Sequence, residues 1–149
     1  MSAGSAAWRD VVERFGMQAH PEGGWYVETW RAPAGPDGQR PLASAILFLL
    51  PAGEESRWHR VDADELWQYS AGDPLEVRIA RAAGGPVARH RLGPDVTAGD
   101  AVQVVVPAGA WQAARPMGAW TLVGCVVAPA FSFDGFELAP EGWEPPGTI

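Results

Sequence analysis

Residues Gly53–Gly72, GEESRWHRVDADELWQYSAG, set the architecture of the chain. A glycine stands at each end, and His59 and Glu65 lie between them, separated by five residues. Side chains two positions apart on a β-strand point to the same side of the sheet. We therefore expect His59, Val61 and, beyond a bend, Glu65 to face one interior, where His59 and Glu65 are candidates for handling protons or binding a metal.

The composition limits the function classes. The chain has 149 residues, of which 47% are hydrophobic and 19% charged, which favours one globular domain spanning residues 1–149. Its net charge of −7 disfavours binding to a nucleic-acid backbone. A small-molecule ligand remains compatible with this charge, because a few arginines inside a pocket can oppose it.

The single cysteine and the apolar runs indicate the compartment. Cys125 stands alone in the buried-strand pattern TLVGCVVAP, so no intramolecular disulfide can form and an inert core thiol is expected. The longest apolar run, Leu42–Leu50, is far shorter than the roughly 18–20 residues that cross a bilayer. With no signal peptide recognised, we expect a cytoplasmic protein without a membrane partner.

The rest of the chain predicts one helix followed by many short strands. Trp8, Val11, Val12 and Phe15 form an amphipathic stripe, which indicates a helix over about residues 6–15. A barrel is expected over about residues 24–138, before a Pro-rich tail at residues 139–149. Its predicted strands are Trp25–Arg31, Leu42–Leu50, Leu66–Ser70, Leu75–Arg81, Val87–Leu92, Ala101–Val106, Ala110–Arg115, Trp120–Val127 and Phe131–Leu138.

Two motifs resemble those of the cupin superfamily. The frame around His59 resembles G-x5-H-x-H-x3-E-x6-G, with Val61 in place of the second histidine. The turn Pro107–Gly109 resembles the second motif, G-x5-P-x-G-x2-H-x3-N, with a longer first gap. Gln112 stands where that motif has its histidine, and Pro116 replaces the asparagine.

Four ordered blocks resemble one largely uncharacterised cupin family. They are HPEGGWYVETWR, SRWHRVDADELWQYSAGDPLEV, VVVPAGAWQAA and LVGCVVAPAFSFDGFEL. The resemblance implies an all-β cupin jelly-roll barrel with a short N-terminal helix, often dimeric. It also implies similarity to germins, auxin-binding proteins and dTDP-4-keto-6-deoxysugar 3,5-epimerases, but no particular reaction.

A metal site is the first function that the resemblance raises. Cupin sites use three histidines and one glutamate, a set that suits Fe, Mn, Ni or Zn. This chain keeps only His59 and Glu65, with Gln112 as a weak amide donor, and such a set offsets little of the cost of dehydrating a metal. We therefore predict no cofactor, with a divalent metal as the lesser alternative and a metal-dependent oxygenase as the third-ranked function.

Metal-free acid–base chemistry ranks first. In the similar 3,5-epimerases a barrel histidine, oriented by an aspartate, removes a proton beside a ketone, and His59 occupies the corresponding strand. This favours an epimerase, isomerase or lyase acting on a sugar-like or carbonyl compound, with His59 as base. The candidates for its partners are Glu65, Asp64 and Asp134 as orienting carboxylate and Tyr69 and Tyr26 as opposing acid.

A non-catalytic binding module is the rival hypothesis. The eight tryptophans fit either a core or an aromatic pocket, and core packing suits most of them better. We predict Arg31, Trp67, Trp111 and Gln112 as ligand-binding wall residues. We also expect a homodimer, since a long apolar strand leaves an edge to be covered.

Overall fold

The computed structural model describes residues 7–81 and 85–146. The predicted start of the helix at residue 6 and the last three residues of the predicted tail lie outside the described residues. Helix α1 spans Ala7–Phe15, and Gly16 follows it with a φ of 65°. Its apolar stripe, which includes Trp8, Val11 and Val12, packs on a cluster around Leu49 and Leu122.

The strands form two antiparallel sheets. The strand bounds are β1 Gln18–Ala19, β2 Trp25–Arg31, β3 Ser44–Pro51, β4 Ser56–Val61, β5 Asp64–Gly72, β6 Leu75–Ala80, β7 Val87–Leu92, β8 Gln103–Val106, β9 Trp111–Pro116, β10 Trp120–Ala128 and β11 Phe136–Leu138. The first sheet has the order β1-β2-β3-β10-β5-β8, and the second has the order β11-β4-β9-β6-β7.

The inner faces of the two sheets enclose the core. Alternation along β6 shows the rule, because Leu75, Val77 and Ile79 are buried in the main apolar cluster while the residues between them belong to the other face. The same cluster takes Phe48 from β3 and Val123 from β10. Residues of helix α1 cover part of the outer face of the six-stranded sheet.

The predicted all-β fold with one short N-terminal helix is confirmed in the described residues. One strand prediction was too long: Phe131–Leu138 divides into a 3₁₀ turn at Phe133–Gly135 and the short strand β11. The side chain of Ser132 accepts a hydrogen bond from the backbone N–H of Asp134, which stabilises the turn in place of an extended chain. None of the helices described has the length and apolar character needed to cross a membrane.

Candidate active site

A cavity of about 220 Å³ lies between the two sheets and is lined by both. The six-stranded sheet contributes residues of β2, β3, β5 and β10, and the five-stranded sheet contributes residues of β4 and β11. The complete lining consists of His20, Glu22, Tyr26, Glu28, Arg31, Ser44, Ile46, His59, Val61, Glu65, Cys125, Val127, Phe131, Ser132, Phe133 and Phe136.

His59 is the cation of the cavity. It lies on β4 with 2% of its surface exposed. Its Nδ1 is 2.8 Å from Oε2 of Glu22 and 2.7 Å from the carbonyl oxygen of Arg57. Burial opposes a charge on the ring, but attraction to Glu22 and Glu65 and the hydrogen bonds outweigh it and raise the pKa of His59 to about 9. The ring is therefore an imidazolium at neutral pH.

Glu22 is the counter-ion of His59. Burial favours its neutral form, yet the charge and hydrogen bond of His59 hold the pKa of this carboxyl below its ordinary value, with help from His20 and Ser56. The hydroxyl of Ser56 donates to the Glu22 carboxylate, while the backbone carbonyl oxygen of Glu22 accepts from the backbone N–H of Arg57 at 2.9 Å. Glu22 is thus held by both its side chain and its backbone.

The turn that carries Glu22 requires glycine. Gly23 has a φ of 106°, and a Cβ placed on it would lie 2.1 Å from the carbonyl oxygen of Glu55. Gly24 has a φ of 80° and would place its Cβ 2.8 Å from the carbonyl oxygen of Leu49. Both positions need the left-handed conformation and the absence of a side chain. The two glycines therefore bring Glu22 close enough to the barrel wall to reach His59.

Glu65 is the second acid of the cavity and faces His59 from the other sheet. It lies on β5, and its Oε1 accepts a hydrogen bond of 2.9 Å from Nε2 of Gln112 on β9. Burial is the largest influence and raises the pKa of Glu65 to about 7, although the positive charge of His59 and the hydrogen bonds from Gln112 and Cys125 act in the opposite direction. The carboxyl can therefore take up and release a proton near neutral pH.

Gln112 has a fixed orientation. The indole N–H of Trp67 donates to its Oε1 at 2.8 Å, and this N–H can only donate. The amide therefore directs its Nε2 at Glu65 and its oxygen away from it. Trp67 and Gln112 together hold the Glu65 carboxylate across the interior.

This donor set does not fit the transition-metal site that the cupin resemblance implies. A metal beside His59 and Glu65 would meet the N–H groups of Gln112, which have no lone pair to donate. No cluster of three His, Cys, Asp or Glu side chains suited to holding an ion occurs in residues 7–81 and 85–146.

His20 lies beside the His59–Glu22 pair. Its Nδ1 accepts a hydrogen bond of 3.1 Å from the backbone N–H of Glu22, so the ring proton belongs on Nε2. Burial lowers the pKa of His20, with Glu22 opposing and His59 reinforcing that effect, and the ring is neutral at pH 7. Aromatic rings surround it, including Tyr26 at 4.6 Å between centroids. The cavity therefore contains one charged and one neutral imidazole.

Exposed residues of the lining mark the mouth of the cavity. Arg31 forms two hydrogen bonds to Glu28, at 2.9 and 3.1 Å, and a third to the carbonyl oxygen of Phe131. Phe133 is 53% exposed. The segment that carries both phenylalanines is tied to β3, because the backbone N–H of Phe131 donates to the hydroxyl of Ser44 at 2.9 Å.

The structure brings some of the predicted site residues together. His59 and Glu65 line the cavity, Gln112 lies directly behind Glu65, and Arg31 stands at the mouth. Tyr26, an alternative acid, also lines the cavity.

Other predicted site residues lie elsewhere. Trp67 is a core residue that supports Gln112, and the hydroxyl of Tyr69 donates to the carbonyl oxygen of Gly72. Trp111 packs against Trp58 and Trp143 in a separate cluster. Of the alternative carboxylates, Asp64 accepts from the backbone N–H of Ala108, and Asp134 belongs to the exposed 3₁₀ turn; neither lines the cavity.

Sequence reasoning missed Glu22 and His20. The sequence analysis assigns a site role to neither residue, and Glu22 lies far from the His59 motif along the chain. The signal available was the unit HPEGGW, in which two glycines follow an acidic residue and predict a tight, buried turn. Nothing in the spacing shows which interior that turn enters.

The two-sheet fold and the enclosed cavity define a cupin-type β-sandwich, and family comparison gives the same result. A family model described as Cupin superfamily (DUF985) matches residues 9–139. The chain belongs to this family. The resemblance drawn from the four sequence blocks is thereby confirmed, as is the cupin fold.

Solved structures agree with this assignment. A protein from Shewanella oneidensis with a crystal structure is 37% identical in sequence to this chain. The two structures align with a TM-score of 0.82 over 87% of this chain and 82% of the other. A hypothetical protein from Leishmania major is 28% identical with a TM-score of 0.78, covering 88% and 86%. Among curated proteins, none matches this chain.

A more distant likeness extends to oxalate decarboxylase from Bacillus subtilis. That structure is 14% identical with a TM-score of 0.62, over 80% of this chain and 29% of the decarboxylase chain. At this identity the likeness shows a shared fold alone. The comparisons therefore support a cupin of unestablished activity.

Proposed function

We propose that this cupin is a metal-independent epimerase or isomerase that moves a proton beside a carbonyl group of a small sugar-like compound. One observation carries the proposal: a buried carboxyl, Glu65, and a buried imidazole, His59, line the same cavity. Burial raises the pKa of Glu65 to about 7, and attraction to Glu22 and Glu65 raises the pKa of His59 to about 9 against the effect of burial. Between these values one group is an ionised base and the other a charged acid. Such a pairing is what proton transfer at neutral pH requires.

The pKa values of His59 and Glu65 favour acid and base roles opposite to those that the sequence predicted. His59 was the expected base, but an imidazolium has no free lone pair to accept a proton. Glu65 is therefore the proposed base, and His59 is the proposed acid. Because Nδ1 of His59 is engaged by Glu22 and Arg57, its Nε2–H is the donor that remains for a ligand in the cavity.

The proposed reaction balances within the cavity. The Glu65 carboxylate takes a proton from the carbon next to the carbonyl, and the electron pair of that C–H bond moves to the carbonyl oxygen. The Nε2–H of His59 donates a hydrogen bond or the proton to this oxygen. An isomer forms when Glu65 returns the proton to the former carbonyl carbon and His59 takes up the proton of the adjacent hydroxyl. An epimer forms when the hydroxyl of Tyr26, which also lines the cavity, protonates the other face of the original carbon, and the proton left on Glu65 returns to Tyr26 through solvent.

The charges favour a neutral polar substrate. His59 and Glu22 compensate each other, Glu65 adds negative charge when ionised, and Arg31 at the mouth is paired with Glu28. Burying a further anion here would lack a free cation to offset its desolvation. The cavity volume of about 220 Å³ limits the substrate to a small molecule.

Deuterium wash-in tests the proposal. The protein is incubated in D₂O with a panel of keto- and aldo-sugars and smaller hydroxy-ketones, and proton NMR follows loss of the signal next to the carbonyl. We expect exchange that requires the protein, with kcat/KM greatest between about pH 7 and pH 9, where Glu65 is ionised and His59 is protonated. Saturable binding of panel members without any deuterium exchange would contradict the enzyme hypothesis and favour a non-catalytic ligand-binding cupin.

We also propose a homodimer. Exposed apolar side chains of the six-stranded sheet support it, namely Trp30 on β2, Val126 on β10 and Val105 on β8. Light scattering after size-exclusion chromatography measures the mass directly. A mass of 15.9 kDa at micromolar concentration would contradict the dimer.

A further inference from the structure

His20 is a buried imidazole for which the proposed reaction has no role. It lines the same cavity as His59 and Glu65, with 9% of its surface exposed. Its Nδ1 accepts the backbone N–H of Glu22, so the ring proton lies on Nε2. His20 is therefore a hydrogen-bond donor whose proton position is fixed by the turn that carries Glu22.

One carboxylate lies beside both imidazoles of the cavity. Oε2 of Glu22 is 2.8 Å from Nδ1 of His59, and Oε1 of Glu22 is 3.4 Å from Nδ1 of His20. The ring of Phe136 also contacts both imidazoles, with centroid distances of 5.5 Å to His59 and 6.1 Å to His20. Two rings that share these neighbours lie side by side on one wall of the cavity.

The Nε2–H groups of His20 and His59 are open to the cavity. Every hydrogen bond that the described residues make with either ring uses Nδ1. Neither Nε2 is among the buried polar atoms that lack a partner in the described chain, a set that includes the indole nitrogens of Trp25, Trp58 and Trp120. Those indole nitrogens are closed off, whereas the two Nε2 atoms reach the open space that their rings line.

The two donors differ in charge. Burial opposes a charge on His59, yet attraction to Glu22 and Glu65 and the hydrogen bonds raise the pKa of His59 to about 9. Burial lowers the pKa of His20, with Glu22 opposing and His59 reinforcing that effect, so His20 is neutral at pH 7. His59 can therefore give up a proton, while His20 holds an oxygen by a hydrogen bond alone.

A substrate that uses both donors carries oxygens on neighbouring carbons. Glu65 removes the proton from the carbon next to the carbonyl, and His59 serves the carbonyl oxygen. The donor beside His59 then meets an oxygen on the carbon that loses its proton. Removal of that proton gives an enediolate, in which both oxygens lie in one plane, and fixed donors aimed at such oxygens stabilise the developing charge.

We propose that the substrate of the cavity is an α-hydroxy aldehyde or α-hydroxy ketone, and that the Nε2–H of His20 donates a hydrogen bond to its hydroxyl oxygen. This inference rests on the proposed function and names the substrate class for it. Because the hydroxyl oxygen accepts from His20, its own proton is free to pass to Nε2 of His59 once His59 has protonated the carbonyl oxygen. Glu65 returns the first proton to the former carbonyl carbon, and His20 stays neutral throughout.

Pairs of compounds with and without the hydroxyl test its role. 3-Hydroxy-2-butanone and 3-methyl-2-butanone differ only in a hydroxyl or a methyl group on the carbon that loses its proton, and D-ribose and 2-deoxy-D-ribose form a second pair. Proton NMR in D₂O follows exchange at that carbon, and each rate is divided by the rate in buffer alone. We expect the wild type to accelerate exchange of a hydroxylated member at least about tenfold more than that of its partner.

Two substitutions separate the donor of His20 from its place in the turn. The amide oxygen of His20→Asn can occupy the position of Nδ1 and accept from Glu22, but nothing replaces Nε2–H. The amide N–H of His20→Gln can occupy the position of Nε2, but the backbone N–H of Glu22 loses its acceptor. We expect His20→Asn to be the more stable variant in urea and His20→Gln the more active one, by about tenfold or more in kcat/KM for the hydroxylated compound.

A role of His20 confined to packing would give the same order of the two variants in stability and in activity. His90→Asn is the matched control, because His90 lies on β7 and does not line the cavity. It should retain the wild-type exchange rate. The comparison of paired compounds uses the wild type, so it decides the substrate class even where a His20 variant does not fold.

Three results would overturn the inference. If the hydroxylated member of neither pair is accelerated more than its partner, the α-hydroxy assignment is wrong, while exchange in other panel compounds would leave proton transfer in the cavity standing. If no compound of the pairs or of the panel exchanges, the proposed function and this inference fail together. If His20→Asn is as active as His20→Gln, His20 is not the donor to the hydroxyl.

Discussion

Two halves of the barrel interior are built from the same strands but have opposite chemistry. Along β5, Glu65 faces the cavity, and Trp67, two residues later, belongs to the apolar core. Along β3, Ser44 and Ile46 line the cavity, whereas Phe48 is in the core. One half therefore contains charged groups around an open space, and the other is closely packed.

The closing segments make this difference. The turn at residues 20–24 inserts Glu22 and His20 into one half, and the segment after β10 lines it with phenylalanines. The other half is filled by side chains such as Leu75 and Val77, which are fully buried. Strand alternation selects which residues face inward, but the segments between strands decide whether the inward space is filled.

The largest expected effect belongs to the polar half and follows from Glu65→Gln. The variant keeps the shape of the side chain and an oxygen for Gln112 but has no proton-accepting carboxylate. We expect kcat/KM for the substrate found by deuterium exchange to fall by a factor of about 100 to 10,000. Glu137→Gln, at an exposed position on β11, is the matched control and should keep full activity. If Glu65→Gln retained activity, Glu65 would not be the base.

Glu22→Gln should break the ion pair that charges the polar half. Without Glu22 the effect of burial dominates, and the pKa of His59 should fall below its wild-type value of about 9. NMR titration of the imidazole ring measures this change. Loss of one partner of a buried pair should lower the free energy of unfolding by about 3 kcal/mol near neutral pH, measured in urea. The alkaline limb of the pH–activity profile should move to lower pH. An unchanged His59 pKa would contradict the assigned pair.

The same ion pair determines how the free energy of unfolding of the wild type changes with pH. His59 has a raised pKa in the folded state, so its contribution to stability is fully present below about pH 6.5 and is lost as the pH rises through about 9. Glu22 has a lowered pKa, so its contribution is present above its ordinary pKa and is lost in acid. In Glu22→Gln the alkaline loss should be smaller than in the wild type.

Leu75→Ala should affect only the packed half. Leu75 has no exposed surface, so the cavity left by the substitution should lower the free energy of unfolding by about 3 kcal/mol. Turnover per folded molecule should be unchanged, because Leu75 does not line the site. Leu42→Ala is the control, since Leu42 is 80% exposed and its loss should change stability little. Equal effects of the two substitutions would mean that the packed half is not the stabilising core.

The smallest effect is expected at the boundary between the halves. Trp67→Phe keeps an aromatic ring but removes the N–H that orients Gln112, and the loss of this hydrogen bond alone should lower the unfolding free energy by about 1 kcal/mol. With the Gln112 donor less well held, the pKa of Glu65 should rise further, which NMR titration of its side-chain carbon can measure. Trp30→Phe on the exposed end of β2 serves as comparison. A Glu65 pKa that falls would refute the supporting role of Trp67.

The sequence predicted the fold better than the site. Alternation and turn signals located nearly all of the strands, because these depend on neighbouring residues. The same alternation placed His59 and Glu65 in one interior. Trp111 and Tyr69 were predicted as site residues because aromatic and hydroxyl side chains suit a pocket, but residue type does not specify which face a residue occupies after a bend.

By itself the sequence determined the all-β class, the helix and the loss of two histidines from the cupin motifs, since each depends on local residue identity and spacing. Only the tertiary structure decided that Glu22 would charge His59, that Trp67 would fix Gln112, and that Arg78 would lie buried beside Trp58. These contacts join residues 20 to 45 positions apart along the chain, as for Arg78 with Trp58 and Trp67 with Gln112. Their energies depend on burial, which no local pattern encodes.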